Sequence, residues 1–300
     1  MRGPGTAVAL ALLFAALAAA GCGLGPGNGV ADVELTVTRD YGTVPVLHRQ
    51  VGDLTESDTV MRVLERNADI TTLYGGGFVR SIDGLEGGGA GEDDWFFYVN
   101  GLWSPIGAAE YGLDGGEAIW WDYRDWTVGE RVAAAVGSWP QPFRDGYEGH
   151  RHPTAVTCFE ATGACADVRR RLRDAGADLV AAGSPDAIRV LVGTWSRLRG
   201  DRDAELIDDG VRASGVFAEF GRGATTLRGL DEKGVSGRLF GPDSGLVATT
   251  RREVQPPTWF VTGTSAAGVS AAAGLLDVDS LRDHYAVAVT GGRETPLPLR

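Results

Sequence analysis

The chain has 300 residues, 43% of them hydrophobic and 23% charged, the balance of a folded globular protein of about two domains, which excludes collagen-like and low-complexity structure. Forty acidic against twenty-eight basic side chains leave a net charge of −12, a field that repels phosphate backbones and argues against nucleic acid as a partner.

The first 22 residues read as an export signal. Arg2 precedes a small and apolar run from Ala7 to Ala20, too short to span a bilayer but of the length of a secretory signal's apolar core. The run closes on Ala19, Ala20, Gly21 and Cys22. A Cys directly after Ala-Gly resembles the lipobox of bacterial lipoproteins, with Ala19 where that motif usually carries Leu. The resemblance implies cleavage before Cys22, lipidation of Cys22, and a protein anchored to the outer face of the cell membrane. An ordinary signal peptide that happens to contain a Cys is the alternative. Residues 23–30, rich in Gly with Pro26, read as a flexible tether.

Charge divides the mature chain. Residues 31–131 carry nineteen acidic and seven basic side chains, while the remainder is nearly balanced. The expected organisation is an acidic first domain (31–135), a linker (136–153) carrying Pro140, Pro142, Gly146, Gly149 and Pro153, and a second domain (154–300).

In the first domain, alternating Val33, Leu35 and Val37 predict a strand, Asp40 to Gly42 a turn, and Val44 and Val46 a returning strand that Pro45 confines to an edge or an irregularity. Thr55 with Asp58 resembles a capping box, and Val60, Val63, Leu64 and Asn67 recur at helical spacing. Phe78 to Ile82 predicts a further strand, Gly84 to Gly91 a loop, Trp95 to Val99 a strand, Asn100-Gly101 a tight hairpin turn, and Ala118 to Arg124 the closing strand. Two strands, a helix, then more strands give an α+β fold, a β-grasp-like domain with one helix on a small mixed sheet.

The second domain reads as α/β or α+β. Ala155 to Phe159 is a strand, and Ala164 to Ala175 a helix with an apolar stripe of Ala164, Val168 and Leu172 whose Arg169, Arg170, Arg171 and Arg173 face water. Cys158 and Cys165 form an even pair in an exported chain, expected as one disulfide stapling that strand to that helix. Ile188 to Val192 leads into a helical segment near Ser196 to Asp208; Gly215 to Phe220, Leu246 to Thr250 and Trp259 to Thr262 are strands, Ser265 to Leu276 a helix, and Tyr285 to Val289 the last strand. Strand, Gly-Thr, helix recurs at 193–194 and 263–264.

Five of the eight Trp residues (Trp95, Trp103, Trp120, Trp121, Trp126) fall between positions 95 and 126. The hairpin turn pairs Tyr98 with Trp103, so that Phe96, Tyr98 and Trp103 share one sheet face and Trp95, Phe97 and Val99 the other. Each ring removes about 150–250 Å² from water when buried, and one helix covers only one face. The second face needs the other domain, a loop, or a ligand.

Trp95-Phe-Phe-Tyr-Val-Asn-Gly101, Ser104, Gly107 to Tyr111, Gly115-Gly116-Glu117 and Ile119-Trp-Trp-Asp-Tyr123 resemble a bacterial domain of unknown function that is similar to the C-terminal β-domain of transcobalamin and intrinsic factor. The resemblance covers about Val33 to Trp126 and departs in having Glu117 where Asp is common. It implies a β-grasp-type fold and, by analogy with carriers in which this domain forms one wall of a corrinoid site, places Tyr98, Asn100, Trp103 and Ser104 nearest a ligand. Those carriers close the site with a large helical barrel for which this chain has no room.

Other signals are declined. No Walker A, dinucleotide or Gly-x-Ser-x-Gly motif is present. His150 and His152 lack further metal ligands at set spacing; Asp201, Asp203 and Glu205 lack the remainder of a calcium loop and read as the start of a helix. The Gly-Thr turns are read as helix caps. The expectation is a lipid-anchored, extracytoplasmic, non-enzymatic binding protein without catalytic residues, metal or cofactor, recognising a small ligand (a corrinoid among the candidates) or an uptake transporter through the aromatic hairpin. The alternative is a structural or adhesion module whose aromatic face is the joint between domains.

Overall fold

The structure is a computed structural model that describes residues 28–88, 92–130, 132–160, 163–235 and 237–300. The export signal, Cys22, most of the tether and the tip of the glycine-rich loop lie outside the described residues.

The first half builds a five-stranded sheet from β1 (Val33–Arg39), β2 (Val44–Val51), β3 (Asp93–Val99), β4 (Leu102–Trp103) and β5 (Ala118–Asp125), in the order β2-β1-β5-β3-β4. The first and last of these strands, β1 and β5, pair in parallel at its centre, and all other pairs are antiparallel. That is the β-grasp-like layout. Strand β2 is the edge, and the register slips between Val37 and Thr38, opposite Leu47 and Pro45, because Pro lacks the N–H that a regular ladder requires. Asn100 and Gly101 adopt positive φ (50° and 79°), the combination a two-residue hairpin turn needs, and Tyr98 pairs with Trp103.

Helix α1 (Val60–Asn67) lies on one face of this sheet and buries Val60, Met61, Val63 and Leu64 among Leu35, Val37, Trp95, Val99, Ile119 and Trp121. Its cap is Thr59, which accepts from the Arg62 amide, and not Thr55. Asp58 does accept from the Thr55 amide at 2.9 Å, as a capping box requires, and pairs with Arg66, but this closes a separate turn before the helix begins. A twisted ribbon, Ile70–Leu73 with Phe78–Ile82, stands beside the helix.

The second half is a seven-stranded mixed sheet of β6 (Thr154–Cys158), β7 (Leu179–Val180), β8 (Ile188–Thr194), β9 (Gly245–Thr250), β10 (Thr258–Gly263), β11 (Ala286–Thr290) and β12 (Arg293–Leu297), in the order β7-β6-β8-β10-β9-β11-β12. Helices α2 (Gly163–Asp174) and α3 (Ala266–Gly274) pack on one face, and Ser265 caps α3. Cys158 at the end of β6 and Cys165 in the first turn of α2 form a disulfide.

Several expectations change. Tyr285 to Val289 is followed by one more strand, β12, whose Pro296 is tolerated at the sheet edge. The stretch 196–208 is not one helix but two single turns, Trp195–Leu198 and Glu205–Asp208, because Asp201 and Asp203 turn aside to bind Arg189. Gly215 to Phe220 shortens to Ala218–Phe220, since Gly215 closes the preceding turn in the left-handed conformation. Arg170 and Arg173 face water, but Arg169 and Arg171 are half-buried and donate to the carbonyls of Val156 and Leu276. The stretch 136–153 does not run free: Val136, Trp139, Phe143 and Tyr147 are buried in the helix-side core of the second sheet.

Candidate functional site

Strand β5 alternates. Ile119 and Trp121 enter the core under α1, whereas Trp120, Asp122 and Arg124 point the other way, into a core shared with the second half. There Trp120 and Tyr98 meet Tyr285, with ring centroids 4.9 and 5.7 Å apart, and Tyr41 meets Phe217 at 5.0 Å. The second aromatic face is therefore covered by the chain itself.

Two opposite charges are sealed in this joint. The Asp122 carboxylate accepts from Thr38 Oγ1 (2.6 Å), the Gly42 amide (3.0 Å) and the Tyr285 hydroxyl (3.0 Å). Burial pushes its pKa up to about 6, although these donors and the nearby Arg124 favour the charged form. The Arg124 guanidinium donates to the carbonyls of Gly129 (2.6 Å) and Asp125 (3.1 Å) and lies 3.9 Å from the Phe96 ring centroid. Burial opposes its charge, but Tyr98, Tyr285 and Tyr41 around it outweigh that and hold its pKa above the usual arginine value. The network is enclosed by the chain and joins the two halves, with the Arg124 Nε buried and without a partner among the described residues.

A different surface remains open. At the edge where β4 is only two residues long, a cleft of about 290 Å³ runs between Met61 of α1, Phe78 of the ribbon, Trp103, Ser104 and Ile106, with Phe97 and Trp121 at its floor. Phe78 is 38% and Ile106 45% exposed, and Tyr74 at the ribbon tip is 88% exposed with its ring 6.4 Å from that of Phe78. The indole N–H of Trp121 is buried with no partner among the described residues. Ser104 accepts from the Ile106 amide and donates to the Ile106 carbonyl, which fixes the rim of the cleft. Pro105 and Ile106 also border a second concavity of about 330 Å³ that continues to Tyr111, Asp114 and Glu148.

The four residues read from sequence as nearest a ligand are separated by the fold. Trp103 and Ser104 line the open cleft. Tyr98 is 0% exposed and belongs to the joint. Asn100 is buried: its side chain accepts from the Ala118 amide and donates to the Gly146 carbonyl, both at distances under 3 Å, tying the hairpin to the connecting segment. Sequence reasoning missed Met61, Phe78 and Ile106. The signal for Phe78 was Tyr74-Gly-Gly-Gly-Phe78, two rings flanking three glycines that have no side chains to cover them. The signal for the lock was an Asp and an Arg on alternate positions of an otherwise apolar strand.

Elsewhere, His152 stacks on Tyr147 with centroids 3.9 Å apart, while His150 is exposed. Asp203 accepts from Thr258 Oγ1 at 2.8 Å and binds Arg189 and Arg252, a buried structural knot. Among the described residues no group of three or more His, Cys, Asp or Glu is arranged to hold a metal.

Residues 57–125 match a family described as a domain of unknown function, DUF4430. The matched segment runs from just before α1 to the end of β5 and so contains the residues lining the cleft. None of the curated proteins matches the chain. Among solved structures, that of a candidate metal binding protein from Ruminococcus gnavus is similar over 32% of this chain and 97% of its own, with 15% identity and a TM-score of 0.26.

Proposed function

We propose that this is an exported, lipid-anchored binding protein, without catalysis of its own, whose cleft beside Trp103 takes up a small, largely apolar ligand. The observation that carries the reading is that the Tyr98 and Trp120 face is sealed in the joint, whereas beside it Phe78, Ile106 and the part-exposed edge of Trp103, a ring that also packs against the joint core, stay open around about 290 Å³. Ligand sites are concave and mainly apolar with few polar groups, and this cleft has that character. A corrinoid is far larger than the cleft and would be gripped by one edge; the Pro105 side and its neighbouring concavity would carry the remainder.

The test is fluorescence titration of the purified protein with cyanocobalamin and, separately, with 1-anilinonaphthalene-8-sulfonate, following tryptophan quenching. Saturable quenching by either probe, weakened in Ile106→Glu and Phe78→Ser, supports the reading. Absence of saturation with both, or quenching unchanged in both variants, overturns it. Saturation by the small probe alone confines the site to small ligands and removes the corrinoid.

The structural alternative has support from one observation: the Tyr98 face is the joint between the halves. It accounts for that face and leaves the open cleft without a role.

A further inference from the structure

The chemistry of the cleft beside Trp103 narrows the class of ligand, an inference that rests on the reading of that cleft as a binding site. Six of the described residues that line it are aromatic, and none is charged. Phe96 already holds Arg124 on its joint side, 3.9 Å from the ring centroid, which leaves Phe78, Trp95, Phe97, Trp103 and Trp121. Tyr74, 88% exposed at the ribbon tip, adds a further ring set edge-on to Phe78. Leu or Val would serve an aliphatic ligand as well; rings add a negative face that attracts a cation within about 6 Å of the centroid.

Hydrogen-bond acceptors on the rim are already engaged. The Ile106 carbonyl accepts from Ser104 Oγ, the Gly107 carbonyl from the amides of Glu110 and Tyr111, and the Ala108 carbonyl from the Met61 amide. Ser104 Oγ itself accepts from the Ile106 amide. A primary ammonium group brings three N–H donors that need acceptors, whereas a quaternary ammonium group brings none.

The surrounding charge has one sign. Residues 57–125 carry thirteen acidic and four basic side chains. Arg66 is paired with Asp58 and Arg80 with Glu86, Arg62 donates to the Ser57 carbonyl, and Arg124 is sealed in the joint. This acidic surround draws cations and repels carboxylates and phosphates.

We infer that the cleft takes a quaternary ammonium compound, its trimethylammonium head packed among the rings of Phe78, Phe97 and Trp103. Such a head carries no N–H and presents only methyl groups to the walls, while its charge is met by ring faces and by the acidic surround. A neutral molecule of the same shape buries the same apolar area and lacks that attraction.

Isothermal titration calorimetry of the purified protein at low ionic strength tests it, with choline chloride and with neohexanol, the neutral alcohol in which a tert-butyl group replaces choline's trimethylammonium head. Saturable choline binding at about one site is expected, with the alcohol at least about tenfold weaker, the ratio that desolvated cation–π contacts give. Phe78→Leu removes a ring at an exposed position and keeps apolar bulk, so it should weaken choline about three- to tenfold and leave the alcohol unchanged. Phe78→Tyr should bind choline like the parent. Equal binding of choline and the alcohol overturns the cationic class and leaves the cleft as a site for uncharged apolar ligands. No saturation by choline, parent-like choline binding by Phe78→Leu, or an equal loss of both ligands in that variant also overturns it; the cleft reading is then decided separately by the fluorescence titration with the two larger molecules.

Discussion

The hydroxyl of Tyr285 donates to the carboxylate of Asp122 at 3.0 Å, although 163 residues of chain separate the two. One residue belongs to the sheet of the first half and the other precedes the next-to-last strand of the second, so this bond crosses the joint. Tyr285→Phe keeps the ring packing against Trp120 and Tyr41 but removes the donor. Hydrogen bonds to a charged group contribute about 1.5–3 kcal/mol, and urea unfolding of the variant should show a loss in that range.

Asp122 also makes stability depend on pH. Its folded pKa, about 6, exceeds the ordinary 3.8, so the folded state binds this proton more tightly than the unfolded chain does. The resulting contribution is complete below the ordinary carboxylate pKa and is lost as pH rises through about 6, in total about 3 kcal/mol. Asp122→Asn should abolish that component. Comparing parent and variant unfolding free energies at pH 5 and pH 8 checks it; an identical change in both would contradict the assignment.

Arg124→Lys is expected to be destructive despite conserving charge. A planar fork reaches the Gly129 and Asp125 carbonyls while its face lies against Phe96, and an ammonium on a flexible stem cannot do all three. A loss of about 2–4 kcal/mol, seen as a lower Tm, is expected from the unmade charged hydrogen bonds. A parent-like Tm would show that the guanidinium does not hold the joint.

Gly42 touches the joint through its backbone. Its φ of +80° is costly for other residues, and a Cβ there would collide with the Asp283 carbonyl oxygen. Gly42→Ala should therefore force the halves apart locally and cost several kcal/mol, whereas Gly84→Ala, also at positive φ but with open space around it, should cost only about 1 kcal/mol. Thermal unfolding of the two variants side by side separates backbone strain from the collision.

The disulfide between Cys158 and Cys165 closes a loop of a few residues. Chain-entropy arguments give such a short loop about 2–3 kcal/mol, so the double variant Cys158→Ser/Cys165→Ser should fold with that deficit. Urea unfolding of parent and double variant under non-reducing conditions measures it.

Much of the fold was legible because local chemistry dictated it. Alternation in β1 and β5, the Asn100-Gly101 turn and the paired cysteines each act over a few residues, and the face assignment of every ring from Trp95 to Trp103 follows from strand geometry alone. The capping-box contact between Asp58 and the Thr55 amide does form, but it closes a turn ahead of α1, whose own cap is Thr59, so the motif marked the approach to the helix and not its first residue.

What the sequence determined by itself was a surplus: two apolar faces on one small sheet, and one helix to cover them. Which face stays covered by chain and which stays open is a question of long-range packing, where residues 98, 120 and 285 must meet, and no local pattern encodes that meeting. The tertiary structure decided that Tyr98 lies in the joint and Trp103 beside an open cleft, although the two are direct cross-strand partners. The reason is the shortness of β4: the sheet ends two residues after the turn, so the second half covers Tyr98 completely, while Trp103 at the rim packs against the joint core and leaves only part of its ring on the cleft.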